Sequence, residues 1–133
     1  MFEKFKPYSV TIGLPNVSIT NNGMNFSKTA VAKLGNPKYI MFMLNEEEKQ
    51  MLVKVCEDTD AYAVKFAKTE KINSVRFNNK DLLQTIEKMM IWNLKLQGYR
   101  ITGDYFDEEA ALLFDLNKAK TIEPKDNEME EEE

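Results

Sequence analysis

The sequence predicts an α+β fold, sheet-rich, with two strand–helix–hairpin units (residues 10–60 and 61–122) packed as a pseudo-two-fold pair in one domain, and a disordered acidic C-terminal tail over 123–133. Three observations predict it. Apolar residues alternate with polar ones in short runs bounded by Asn, Asp, Gly and Pro, which marks half-buried strands. Two other stretches carry apolar residues at helical spacing behind a capping residue. The order strand, cap, helix, hairpin then occurs twice along the chain.

In the first unit Val10, Ile12 and Leu14 alternate, Pro15-Asn16 interrupts, and Val17 and Ile19 resume before Asn21-Asn22-Gly23. These read as two short strands joined by turns. Met24 and Phe26 lead to Ser27, a good N-cap for a helix over Lys28–Leu34 that stops at Gly35 with Pro37 beyond. Tyr39 to Leu44 and Met51 to Val55 flank the polar stretch Asn45-Glu46-Glu47-Glu48, the pattern of a hairpin. Glu57-Asp58-Thr59-Asp60 closes the unit.

The second unit opens on Tyr62, Val64 and Phe66, which alternate with Ala63 and Lys65 as one strand face, and on a short strand at Val75 and Phe77. Asn78 or Asn79 caps a longer helix whose apolar face is Leu82, Leu83, Ile86, Met89, Met90 and Leu94, with Gly98 ending it. A hairpin from Tyr99 and Ile101 turns at Asp107-Glu108-Glu109 and returns through Leu112 to Leu116. Each unit has one apolar face that it cannot cover alone, so the two are expected to cover each other about a shared axis.

Charge divides the chain unevenly. The net charge is −4, yet residues 123–133 hold seven acidic residues and one lysine, a net of −6 that leaves +2 on residues 1–122. Residues 1–40 and 61–80 each carry five basic residues against a single glutamate. The tail reads as a solubility segment, or as an electrostatic competitor for those basic patches.

Chemistry is restricted by what the composition omits. Histidine is absent, which removes the commonest general base and zinc ligand. Cys56 is the only cysteine, so no intrachain disulfide forms, a reducing compartment fits, and no histidine activates the thiol. The five glycines are scattered at turns, without a phosphate-binding loop. Asp58 with Asp60, and Asp107 with Glu108 and Glu109, fall in turns and read as solvated loops rather than cation sites. The expectation is a non-catalytic cytoplasmic binding protein without metal or cofactor and without a membrane partner, as a monomer or homodimer.

Two binding surfaces stand out. Ala61–Lys80 interleaves cations with Tyr62, Phe66 and Phe77, and nucleic-acid contacts are expected from Lys28, Lys33, Lys38, Lys65, Arg76 and Lys80. Alternatively the chain is a protein-interaction accessory factor with no nucleic-acid role, using Ile91 and Trp92, which fall partly off the apolar face of the long helix.

The stretch Met24-Asn25-Phe26-Ser27-Lys28-Thr29-Ala30-Val31-Ala32-Lys33-Leu34-Gly35, with the strand–turn–strand of Tyr39 to Val55 behind it, resembles the swapped-hairpin domain of AbrB/SpoVT-type transition-state regulators. Phe26, Lys28, Leu34 and Gly35 occupy matching places, Ser27 stands where that family has proline, and Asn22 to Asn25 replace its basic residues. Two such units in one chain resemble the tandem arrangement of MraZ proteins, though the second lacks the Leu-Gly spacing. The chain also resembles small proteins of phages and mobile elements of Gram-positive bacteria. The resemblance implies a DNA-binding transcriptional regulator.

Overall fold

The computed structural model describes residues 1–5 and 13–122. The predicted tail, and Val10 and Ile12 of the first predicted strand, lie outside the described residues. Leu14 is not in a strand and is half exposed.

The fold is a sheet-rich α+β domain. Its elements are β1 (Asn16–Thr20), β2 (Gly23–Phe26), α1 (Lys28–Lys33), β3 (Tyr39–Asn45), β4 (Gln50–Val55), β5 (Val64–Lys65), β6 (Val75–Phe77), α2 (Lys80–Met90), β7 (Gly98–Phe106), β8 (Ala111–Asp115) and β9 (Lys120–Ile122). A short 3-10 turn, Leu116–Lys118, separates β8 from β9. All pairings are antiparallel, in the order β5-β3-β4-β8-β7-β1-β2-β6, with β9 on β7.

The sheet curls into a half-barrel. Its path ends at β5 and β6, yet Phe77 of β6 packs on Phe42 of β3 with ring centroids 4.9 Å apart. Phe66, just past β5, meets Phe26 of β2 edge-on at 5.2 Å. Phe26 also packs against Phe42 and Phe114, so one fully buried ring joins β2, β3 and β8 with the residue that follows β5. Val17, Ile19, Ile40, Met51, Val53, Ile101, Leu112 and Phe114 complete the lining at 0–1% exposure. They sit at alternate positions because period-2 strands send every second side chain inward.

Both capping expectations hold in detail. The Ser27 hydroxyl accepts the Ala30 N–H at 3.1 Å, and the Asn79 side-chain oxygen accepts the Leu82 N–H at 2.9 Å. The long helix is shorter than the sequence predicts. It stops at Met90, with Ile91 left-handed at φ 58°, and Gly98 starts β7 instead of ending the helix. Glu87 explains the stop. Its carbonyl accepts the Ile91 and Trp92 N–H groups and its carboxylate accepts the Leu94 N–H at 2.9 Å, so the chain turns away. Leu94 is buried from this turn, not from the helix.

One further expectation is corrected. Tyr62 does not share the buried face of Val64 and Phe66; it is 79% exposed. Asp60 organises a turn there, its carboxylate accepting the Glu57 N–H and its carbonyl accepting the Ala63 N–H, and β5 begins only at Val64.

Candidate nucleic-acid interface

A cationic surface is built where the chain leaves α1. Gly35 and Asn36 both take left-handed conformations, φ 84° and 52°, and the Asn36 N–H returns to the Val31 carbonyl at 2.9 Å. This is the Gly-ended helix stop that the sequence signals. It aims the Asn36 amide at a distant segment, where Nδ2 donates to the carbonyls of Thr69 and Glu70, each at 3.1 Å. The same segment donates backward: Phe66 N–H to the Lys38 carbonyl at 2.8 Å and Ala67 N–H to the Pro37 carbonyl at 3.0 Å. Residues 66–70 are thus a strap pinned by four hydrogen bonds to residues 36–38.

Open concavities flank the strap. On one side Lys38, Tyr39, Lys65 and Lys68 border a groove of about 810 Å³. On the other, Lys68, Lys71 and Arg76 border a cleft of about 320 Å³. Asn36, Ala67, Lys68 and Thr69 line both, so the two share the strap as a common wall and together make a two-lobed trough. Five cations surround it and Glu70 is the only acidic residue in its lining. All five are exposed, and among the described residues none is in an ion pair. Like charges held close on a fixed backbone raise the local potential and attract a polyanion.

The trough gathers half of the expected nucleic-acid contacts. Lys38, Lys65 and Arg76 line it. Lys28 and Lys80 are the first residues of α1 and α2, Lys33 is the last of α1, and none of these three lines the trough. Sequence reasoning left Lys68 and Lys71 out, although both belong to the basic stretch 61–80. Asn36, which organises the site, carries a local signal only in Gly35-Asn36-Pro37.

Elsewhere Ile91 is 92% exposed, while Trp92 is half-buried and stacked on Tyr99 with centroids 3.8 Å apart. Cys56 lies just past β4. Desolvation, then the carboxylates of Asp60 and Glu57, push its thiol above its ordinary value of 9.0, which leaves little thiolate near neutral pH. Among the described residues no group of three or more metal-ligating side chains comes together.

The chain matches no protein-family model, no curated protein and no solved structure.

Proposed function

We propose that this chain is a non-catalytic DNA-binding protein that grips the phosphate backbone of a duplex in the trough. The observation that carries the reading is the group of five exposed cations, Lys38, Lys65, Lys68, Lys71 and Arg76, none in an ion pair among the described residues, around a strap that is itself pinned. Phosphate neutralisation by such groups gives affinity without sequence readout. Lysine dominates, so the contacts are point charges rather than bidentate forks.

A transcription-regulatory role of the AbrB/SpoVT swapped-hairpin type is part of the same proposal, and one ladder supports it. The long hairpins each turn through four residues, and the last of each, Lys49 and Ala110, is left-handed at φ 61° and 49°. Those positions are 61 residues apart, and the ladder between β4 and β8 is reciprocal at that offset: Met51 faces Phe114 and Val53 faces Leu112. Reciprocal pairing is the pattern that a pseudo-two-fold axis generates. On this reading the halves differ most where β1 joins β2 through two residues and β5 joins β6 through nine. The longer connection carries Lys68 and Lys71, so the trough arises at the main departure from symmetry.

The test is fluorescence anisotropy with a labelled short duplex as salt is raised. Five phosphate contacts predict a slope of log affinity on log salt of about −4 to −5. No binding at low salt, or a slope near zero, contradicts the reading.

A second reading, a protein-interaction accessory factor of a phage or mobile element, is favoured by one observation. Ile91 projects 92% exposed from a backbone conformation that suits a β-branched residue badly, and Leu96, five residues further along, is 81% exposed. Loss of a captured protein partner on Ile91→Asp, with DNA binding intact, would select this reading.

A further inference from the structure

We propose that the acidic segment 123–133 is an intramolecular occupant of the trough and competes with nucleic acid for Lys38, Lys65, Lys68, Lys71 and Arg76. The inference deepens the binding reading above and rests on it for its consequence, though not for the contact itself.

Charge complementarity selects the surface. The segment bears seven carboxylates and one lysine. The trough presents five cations against Glu70. Both hairpin tips are acidic, Glu46 to Glu48 and Asp107 to Glu109, and repel the segment. The two stretches with strong positive balance are 1–40 and 61–80, and the trough joins them: 61–80 supplies four of its five cations and 1–40 supplies Lys38.

Geometry permits the contact. The segment follows β9, whose last residue Ile122 is fixed: it is 3% exposed, pairs with Gly98, and its carbonyl accepts the Gln97 side-chain amide at 2.9 Å. Eleven residues reach roughly 36 Å when extended. A body of this size has a radius of gyration of roughly 14 Å, so the segment can cover more than half of the way around it.

The consequence is a threshold. Tethering gives the carboxylates an effective concentration in the millimolar range at the trough. They hold off weak, scattered polyanions, and a DNA ligand that binds more tightly displaces them. Salt weakens both the segment's contact and the DNA's.

The test uses the full chain. A nitroxide at Met129→Cys in a Cys56→Ser background is read by broadening of backbone amide signals without nucleic acid. The proposal expects broadening centred on residues 65–76 at about 50 mM salt and its loss at about 500 mM, where screening is short-ranged. Broadening centred on other surfaces, or none, overturns it, even if DNA binds. Replacement of Glu128 and Glu130 to Glu133 by Gln, again in the full chain, is expected to tighten binding of a short duplex about tenfold at low salt. The gain is expected to shrink as salt rises. Unchanged affinity overturns the competition. Broadening at the trough with no DNA bound by either chain sustains the contact and defeats the binding reading instead.

Discussion

Leu52 lies directly opposite Leu113 at the centre of the ladder that joins the two long hairpins. The Val55 N–H donates to the Ala110 carbonyl and the Leu116 N–H to the Lys49 carbonyl, so the hydrogen-bonded pairs of this ladder fall at odd positions of β4. Leu52 and Leu113 are therefore a non-hydrogen-bonded pair, with Cα atoms about 4.5 Å apart. That spacing suits a disulfide. Leu52→Cys with Leu113→Cys, in a Cys56→Ser background, is expected to crosslink under mild oxidation. The displaced pair Leu52→Cys with Asp115→Cys, roughly 7–8 Å apart, is not. Thiol counting after denaturation reads the result, and the reverse pattern would mean a different register.

Gly103 gives a test of the interior. A Cβ there would stand 2.8 Å from the Phe114 ring, which is fully buried and cannot swing away. Gly103→Ala is expected to cost about 1–3 kcal/mol by overpacking. Urea denaturation would read this as a lower midpoint at unchanged slope.

Ile91 makes the opposite prediction. Its side chain is 92% exposed, so little burial is lost on truncation, while its φ of 58° is strained for a β-branched residue and free of strain for glycine. Ile91→Gly is expected to raise stability by about 1 kcal/mol. A fall in stability would show that the side chain holds the helix end.

Cys56 should react sluggishly. Desolvation and the Asp60 and Glu57 carboxylates raise its thiol above 9.0. The thiolate is the reactive form, so iodoacetamide alkylation, followed by mass spectrometry, is expected to be slower than for an unhindered cysteine peptide at the same pH. Its half-maximal rate should fall at a higher pH than that of the peptide. Asp60→Asn removes a negative charge and should speed the reaction near pH 8. Equal rates in the two proteins would contradict the stated cause.

Local chemistry was legible in the sequence. The caps Ser27 and Asn79 and the acidic hairpin turns announce themselves through residues whose preferences and geometry agree. The end of α2 was hidden, because isoleucine is among the residues least suited to the left-handed stop that it occupies. Tyr62 misled because alternation continued through a turn that Asp60 imposes. The trough was only half legible. Its lysines stand out by charge, but the strap depends on bonds between residues 36–38 and 66–70, far apart in sequence and invisible to any window.

The most direct test of the account concerns the trough itself. Lys65→Ala, Lys68→Ala and Arg76→Ala are combined in one chain, and the salt dependence of duplex binding is compared with that of Lys88→Ala, a cation on α2 outside the trough. The account predicts that the triple variant's slope is shallower by about 3 and its affinity at low salt is at least about a hundredfold weaker, with the control unchanged. Equal slopes in all three proteins would contradict it.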